Sequence, residues 1–407
     1  MKTFSKVVII AVAVLLALGL AFTVFGFMTG AVSWVYWDRD GLHVPQRGRQ
    51  DNAASQAVMS QSDLEAFTSV DIDADLADIR FIPSDGYGFE IAYSDQSPTP
   101  MWSVDNGRLK ITKRDPNSRE GNRWFNVDFS RTRWFNIDLS FLPFVSDRDI
   151  DEHIYIYYPR PAEFDKLKLS VALGSVEIGS LTAGDISINS SFGSVGAADI
   201  NCRTFSAGLS AGALSVKNIS ATTFSVKNSF GESIVTGVTS STLDINVNSG
   251  ALELTDCRCG SADISNDFGA VKLTRFTADW ANLTLNSGKL DMRNVTVEDI
   301  DISNDFGETA GRDIDFGAAK VRSGAGKIQL AGDIRGADIK ADFGSIELAL
   351  TRPRDYYSYD LRTDLGSIRV DSDRYSGTAA SSVSGGGDRP LLKVSANSGS
   401  IDISFGR

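Results

Sequence analysis

Apolar and polar residues alternate along the C-terminal part of the chain, and the same alternation returns at a fixed interval. Counted from a recurrent glycine, apolar residues stand two, four, seven and fourteen positions on, and charged residues such as Glu177, Glu253 and Lys272 lie between them. Alternation with a period of two is typical of a β-strand with one buried face. No window of ten residues has the spacing of an amphipathic helix. The pattern therefore predicts an all-β fold.

The recurrent glycine occupies every nineteenth position through the middle of this region, and then recurs more loosely towards Gly366 and Gly399. A fixed period of roughly 20 residues is typical of a solenoid, in which each coil buries its apolar rows against the next coil. We therefore predict a parallel β-helix-like solenoid with about 19 residues per coil. The glycines are expected at corners that need a positive φ or a close backbone approach. These predicted corner glycines are Gly174, Gly193, Gly212, Gly231, Gly250, Gly269, Gly288, Gly307, Gly326 and Gly344.

The residue before the corner glycine alternates between phenylalanine and a small residue. The row reads Phe192, Ala211, Phe230, Ser249, Phe268, Ser287, Phe306, Ala325 and Phe343, which gives a second period twice as long as the first. Two interpretations follow: a 19-residue coil whose corner filler alternates, or a 38-residue coil. We favour the 19-residue coil, because three short apolar sides already close one turn.

The N-terminal segment has a different pattern. Residues 7–28 are apolar and uncharged, and Lys2 and Lys6 precede them. A helix of this length spans about 33 Å, enough for the ~30 Å hydrocarbon core of a bilayer. We predict a single transmembrane helix with a cytoplasmic N-terminus and an exported C-terminal region, since the two lysines favour that orientation. A cleaved signal peptide is the alternative.

The remaining segments divide the chain further. We expect a cytoplasmic stub and anchor over residues 1–37, a polar stalk over 38–63, an N-terminal β region over 64–166 and the solenoid over 167–407. Inside the β region, residues 115–150 read as an insertion.

The insertion repeats one motif, RWFNVDFS at 123–130 and RWFNIDLS at 133–140. One interpretation is a hairpin that packs on the first coil and caps the core. The other is an exposed aromatic–arginine patch that binds a partner or the membrane surface. The candidate partner contacts are Arg123, Trp124, Phe125, Arg133, Trp134 and Phe135.

Three stretches of sequence carry a family resemblance. The segment 67–111 leads to HIYIYYPRPAEFDKLKLSVALGSVEI at 153–178, and repeats such as LDINVNSGALELTD follow. Together they resemble the bacterial "putative adhesin" β-strand-repeat family, whose domains have no known function and commonly follow one N-terminal membrane span. The resemblance covers residues 64–407 and implies adhesion at a surface, without assigning binding residues.

Charge and composition narrow the function. The net charge is −12, which disfavours binding to a phosphate backbone, so we expect no nucleic-acid partner. His43 and His153 have no partner at metal-ligand spacing and are interpreted as surface or edge histidines. Serine-hydrolase, zinc-protease and P-loop motifs do not occur in the sequence. We expect no catalytic residue, no metal site and no cofactor.

Cysteines and aspartates also follow the repeat. Cys202, Cys257 and Cys259 fall in rows of small or aliphatic residues, so we expect three core thiols without a disulfide. Four aspartates stand two residues before a corner glycine and could gather into a site for a hard cation, although solvated corners are the default. They are Asp267, Asp305, Asp342 and Asp364.

These observations favour a non-catalytic, membrane-anchored surface protein, an adhesin or envelope-interaction scaffold that presents an extended solenoid to an unknown ligand. A self-assembling structural solenoid is the first alternative, and a polysaccharide-processing β-helix enzyme is the second. The enzyme is disfavoured because eight consecutive 19-residue steps leave no room for the long loops that build a cleft.

The C-terminus raises a separate question. The chain ends at SANSGSIDISFGR, with Ile401 and Ile403 in the apolar rows. If these residues form the last coil, their strand edge is open to a second copy or to a partner strand, which predicts end-to-end self-association. The alternative is that the polar segment 371–390 folds across the end.

Overall fold

The computed structural model describes residues 36–38, 41–43, 56–94, 97–114, 152–384 and 389–406. The chain divides into two units, and of the first unit the described part is one antiparallel pair, β1 (Tyr36–Asp38) and β2 (Gly41–His43). Across the described ranges, no helix is long and apolar enough to cross a membrane. The predicted span, residues 7–28, lies outside those ranges, so the anchor stays a prediction.

The second unit is an all-β structure, as the alternation predicts. Its described part contains 21 strands in one sheet and a single short 3-10 helix, Arg354–Tyr356. The strands are β3 (Gln56–Gln61), β4 (Ser69–Leu76), β5 (Asp78–Ser84), β6 (Gly88–Ser94), β7 (Met101–Asp105), β8 (Arg108–Lys113), β9 (His153–Pro159), β10 (Glu163–Leu173), β11 (Val176–Phe192), β12 (Val195–Ala211), β13 (Leu214–Phe230), β14 (Ser233–Thr236), β15 (Thr239–Ser249), β16 (Leu252–Thr255), β17 (Arg258–Ala325), β18 (Ile328–Phe343), β19 (Ile346–Pro353), β20 (Ser358–Val370), β21 (Asp373–Ser384), β22 (Leu391–Ser398) and β23 (Ile401–Gly406).

The register of the parallel strands gives the number of residues in one coil. Val195 of β12 pairs with Leu214 of β13, and Leu252 pairs with Val271, so each pairing joins a residue to the nineteenth residue after it. The same step repeats along the stack, so the 19-residue coil is confirmed. The 38-residue coil is wrong, because the longer period comes from the corners and not from the pairing.

Each coil has three sides, and β12 shows how they form. Its pairing with β13 runs over 195–198, 200–202 and 204–209, with breaks at Asp199 and Arg203. The third corner follows at Gly212. Alternate residues of each side point inward, where aliphatic rows stack coil upon coil, and Ile264 in one such row is fully buried. The inward row and the outward position of Glu253 agree with the predicted assignment.

The stack begins before the first corner glycine. β4 pairs in parallel with β10, and β5 pairs with the start of β11, so residues 69–84 supply a coil of their own. β8 and β9 add a further layer on β4 and β5. The pairing thus continues across the boundary expected near residues 166 and 167.

The C-terminal end has a strand order that differs from the sequence order. β22 lies between β18 and β20, because Val394 pairs with Ile339 on one side and with Leu361 on the other. β23 likewise lies between β19 and β20. β21 then pairs antiparallel with the outer edge of β20.

This order corrects the prediction of an open last coil at Ile401 and Ile403. Both side chains are fully buried, and Ile401 pairs with Ile346 below and Ile368 above. The alternative is confirmed in its main point: the segment after residue 371 forms β21 and covers the end. The 33-residue step arises because the chain builds an outer layer before its last strands return to the stack.

Candidate interaction surface

The predicted corner glycines form one continuous column. A Cβ built on any of the ten would lie 1.7–2.1 Å from the carbonyl oxygen of the preceding rung. Nine of them also have φ between +128° and +156°, and Gly288 is the exception. Close packing of backbone on backbone therefore explains the repeat, because any side chain would collide with the neighbouring coil.

A second corner column was missed by the sequence analysis. Six residues after each corner glycine from Gly174 to Gly307, the chain turns through left-handed φ angles, which lie between +51° and +57° at the non-glycine positions. Asparagine and aspartate tolerate this region, but the column also contains serine, arginine and glycine. Its members are Ser180, Asp199, Asn218, Gly237, Asp256, Arg275, Asn294 and Asp313. The variety of residue types concealed the period.

The phenylalanines before the corner glycines lie on the outside of the coil. Phe306 and Phe343 are 63% and 64% exposed, and Phe230 and Phe268 are about two-fifths exposed. The expectation that they fill the corners is therefore wrong. We define the Phe ladder as Phe192, Phe230, Phe268, Phe306 and Phe343.

Small residues separate the rings of the Phe ladder. Phe192 pairs with Ala211, Ser249 pairs with both Phe230 and Phe268, and Phe343 pairs with Ala325. Coils stack at about 4.8 Å, so successive rings are about 9.6 Å apart. The surface is a row of aromatic ridges with gaps between them.

The inner side of the same corner alternates in the opposite sense. Asn228, Asn266 and Asn304 are buried two residues before a ladder ring, while Leu209, Val247 and Leu285 occupy the position in the coils between. The asparagine amides donate hydrogen bonds to corner carbonyls, as Asn266 does to Gly250 at 3.0 Å. These hydrogen bonds link neighbouring corners. They do not require a large residue on the outer side of the corner.

Large and small outer residues also alternate at the C-terminal end, where the order of the strands in space differs from their order in the sequence. Phe343 pairs with Ser398, and Ser398 pairs with Leu365, which is 60% exposed. In sequence the order is large, large, small, yet in space it is large, small, large. The alternation thus follows the stack and not the chain.

Steric crowding between coils does not force this alternation. Inside the stack, Phe205 and Phe224 occupy adjacent coils, with ring centroids 5.2 Å apart and an interplanar angle of 7°. Two phenylalanines on neighbouring rungs are therefore compatible with the spacing of the coils. The small residues between the rings of the Phe ladder therefore need an explanation other than steric crowding.

The four corner aspartates flank the larger rungs of this surface. Asp267, Asp305 and Asp342 directly precede ladder rings, and Asp364 precedes Leu365. None of the four has a lysine or arginine within ion-pair distance in the described part of the chain. Asp267 accepts a hydrogen bond from Asn286 at 2.6 Å, and Asp342 accepts one from Asn397 at 2.9 Å.

Their spacing favours the default interpretation of solvated corners over a cation site. The aspartates occur on alternate rungs, about 9.6 Å apart, whereas calcium ligands lie about 2.3–2.6 Å from the ion. Within the described ranges, no group of three or more histidine, cysteine, aspartate or glutamate residues could hold a metal ion.

The cysteines are core residues, as predicted. Cys202, Cys257 and Cys259 are buried and free. Burial raises the pKa of Cys202 to about 11 and that of Cys259 to about 12. Since the thiolate is the reactive form, these thiols are poor nucleophiles at neutral pH.

His153 differs from its interpretation as a surface or edge histidine. Only 8% of the residue is exposed. Its ring stacks on Tyr155 with centroids 4.0 Å apart, and its Nε2 lies 3.1 Å from Glu90 Oε1. The side chain therefore contributes to packing at the start of β9.

A buried ion pair joins Lys113 and Glu152, which flank the predicted insertion. Lys113 closes β8, Glu152 directly precedes β9, and their side chains are 2% and 3% exposed. Lys113 donates to the carbonyl of Leu76 at 2.6 Å, and Glu152 accepts from Ser97 Oγ at 2.5 Å. Burial lowers the pKa of Lys113, although the contact with Glu152 opposes the shift. The six candidate contacts of the insertion, from Arg123 to Phe135, lie outside the described residues.

These features define the class of protein as a three-sided β-solenoid with a regular outer aromatic row. A family model, Toastrack DUF4097, matches residues 67–264 and 254–404, which together make up most of the chain. The chain belongs to this family, and the resemblance to the β-strand-repeat family is confirmed. No curated protein matches the sequence.

Two solved structures are similar to the chain. One is described as a "putative cell adhesion protein" from Clostridium sporogenes ATCC 15579; the match has 11% identity and a TM-score of 0.16, and covers 86% of this chain and 100% of the other. The second is described as a "putative adhesin" from Bacteroides fragilis NCTC 9343. It has 11% identity and a TM-score of 0.20, and the match covers 87% of this chain and 99% of the other.

Proposed function

We propose that this chain is a non-catalytic surface protein that is anchored by residues 7–28 and presents its solenoid to a partner in the cell envelope. The observation that carries the proposal is the Phe ladder. Exposed apolar rows cost solubility, so a row kept in spatial order across a rearranged strand topology supports a binding role.

The regular corners support a scaffold over an enzyme. From Gly174 to Gly344, each coil passes to the next through one glycine packed against backbone, which leaves no room for long loops at that corner. A glycan-cleaving solenoid needs such loops to build a cleft. Hydrolysis of envelope glycans by the full-length chain, abolished by an acidic-residue substitution, would favour the enzyme instead.

Adhesion is tested with cells that display the full-length chain. Binding of these cells to isolated envelopes should fall when Phe306 and Phe343 are changed to serine. The matched control is Trp280→Ser, which removes another exposed aromatic residue, 43% exposed and outside the Phe ladder. Equal binding by all three forms would contradict a role for this surface.

The anchor has its own test. Deletion of residues 7–28 should move the protein from the membrane fraction to the soluble fraction, since this run supplies the only long apolar segment in the sequence. Protection of the solenoid from external protease on intact cells would contradict the expected export.

The insertion is proposed as a second contact with the partner or with the membrane surface. The buried Lys113–Glu152 pair fixes the two described residues that flank it, which supports an ordered attachment for such a contact. Alanine at Trp124 and Trp134 should weaken envelope binding and leave the melting of the solenoid unchanged. A large loss of thermal stability would favour the capping hairpin.

A further inference from the structure

The spacing of the Phe ladder restricts what can bind along it. Rings recur at about 9.6 Å over the four intervals from Phe192 to Phe343, a length of about 38 Å. A ligand that lies along the row must present apolar groups at the same interval over that length. A ligand with a different repeat contacts only some of the five rungs.

Three extended protein conformations can be compared with this interval. Same-face side chains of a β-strand repeat at about 6.6 Å, so a strand returns to register only at every second rung, after about 19.8 Å, and reaches three of the five rings. Two turns of an α-helix advance about 10.8 Å, and the mismatch grows to about 5 Å over four intervals. A polyproline II helix has three residues per turn and rises about 3.1 Å per residue, or about 9.3 Å per turn, and stays within about 1.2 Å over the same length.

The gaps between rungs suit the same conformation. Ala211, Ser249, Ser287 and Ala325 form the floor between successive rings. Proline rings of a polyproline II segment dock between aromatic side chains, and the preformed helix loses little entropy on binding. Alternation of large and small residues supplies such grooves, whereas a continuous phenylalanine row would fill them.

The charge beside the rungs indicates a basic ligand. Asp267, Asp305, Asp342 and Asp364 form an acidic flank without basic partners in the described residues. On the other flank the lysines are already paired, Lys289 with Glu308 at 3.1 Å and Lys327 with Glu347 at 2.8 Å. Arginine or lysine side chains of a ligand would meet carboxylates on one side and aromatic faces below.

A second copy of the chain fits less well. In a closed two-fold dimer, two ladders interleave only if they run antiparallel, and that arrangement sets the aspartate row of one copy against the same row of the other. Like charges in direct opposition are destabilising. We propose that the Phe ladder binds a basic, proline-rich segment in the polyproline II conformation; this rests on the proposed function and names the class of its partner.

The experiment uses the full-length chain in detergent and a labelled synthetic peptide. About 13 residues of a Pro-Pro-Arg repeat span the ladder at about 3.1 Å per residue. The control peptide has the same length and charge but a flexible Gly-Ser-Arg repeat. We expect the proline peptide to bind at least about tenfold more tightly, a difference of about 1.4 kcal/mol. Equal binding of the two peptides would overturn the proposal.

Two double variants distinguish binding in the grooves from nonspecific hydrophobic binding. Ser249→Phe with Ser287→Phe fills two gaps and raises the apolar surface, and we expect it to weaken binding about tenfold. Nonspecific hydrophobic binding predicts tighter binding by this variant, so equal or tighter binding overturns the proposal. Phe268→Ser with Phe306→Ser should also weaken binding, and Trp280→Ser should not. Phe306→Ser alone, at the more exposed ring, replaces the double variant if the latter does not fold.

Other occupants are outcomes of the same experiment. Binding of a soluble chito-oligosaccharide in place of the peptide, lost in the Phe268 and Phe306 variant, would identify a glycan surface and overturn the proposal. Self-association that depends on these rings, without peptide binding, would identify a second copy and also overturn it. Envelope binding by displayed cells with no response to the peptide leaves the proposed function standing and rejects only the ligand class.

Discussion

The middle of the stack and its C-terminal end are built from the same repeat but differ in strand order. From Gly174 to Gly326 each coil lies on the coil that precedes it in sequence. At the end, β22 and β23 lie between β18–β19 and β20, so the last strands are internal. Both regions keep the glycine column and the alternation of large and small outer residues. The comparison indicates that neighbours in space, and not neighbours in sequence, determine these two features.

The largest expected effect is in the middle of the stack. Ile264→Asp places an unpaired charge in a fully buried aliphatic row and should reduce the free energy of unfolding by about 4 kcal/mol or more. The control is Glu253→Lys, which breaks an exposed pair with Lys272 at 2.8 Å and should cost less than about 1 kcal/mol. Thermal melting of both variants is the measurement, and similar midpoints would contradict the inward and outward assignment.

A parallel substitution probes the end. Ile401→Lys should cost about 3 kcal/mol or more, because Ile401 is buried between Ile346 and Ile368. Hydrogen exchange should show loss of protection over β20 to β23. Leu391→Lys, at a half-exposed position of β22, serves as the control and should be nearly silent. If Ile401→Lys is tolerated, Ile401 lies at an open edge and the coils follow their order in the sequence.

The glycine column gives a somewhat smaller effect. A Cβ on Gly250 would lie 1.9 Å from the carbonyl oxygen of Gly231, so Gly250→Ala should cost about 2–3 kcal/mol. Gly86→Ala meets nothing within 4 Å and is the matched control. Urea unfolding of the two variants compares them. Equal stability would mean that backbone contact does not explain the repeat.

The smallest effect concerns the pH dependence of the end. Tyr357 is buried and donates to the carbonyl of Ile334 at 2.8 Å, and burial raises its pKa to about 12. The unfolded phenol ionises near pH 10, so its contribution to stability is complete below pH 10 and is lost as the pH rises towards 12.

Tyr357→Phe should therefore be less stable than the unsubstituted protein at pH 7, by about 1 kcal/mol for the lost hydrogen bond. Between pH 10 and pH 11 this difference should shrink by roughly 1 kcal/mol. Unfolding at several pH values measures it. A constant difference would show that Tyr357 does not ionise more readily on unfolding.

The fold could be predicted from the sequence at positions where only one type of residue satisfies the local geometry. Only glycine fits a corner that packs backbone against backbone, so the column from Gly174 to Gly344 revealed the coil. The second corner column accepts residues as different as Asn218 and Arg275, and its period was hidden. Periodicity located Phe268 at a corner but could not distinguish the outer side from the inner side, which Asn266 occupies. The 33-residue step was compatible with either order of the last strands.

The order of the last coils is tested most directly by cross-linking. Glu347 pairs with Asp402, and Asp402 pairs with Arg369, so the outer two residues are two layers, or about 9.6 Å, apart. A disulfide needs Cα atoms within about 7 Å. Glu347→Cys with Asp402→Cys should therefore form a disulfide under mild oxidation, whereas Glu347→Cys with Arg369→Cys should not. Rapid cross-linking of the second pair and none of the first would show that the coils follow the sequence order and would contradict the account.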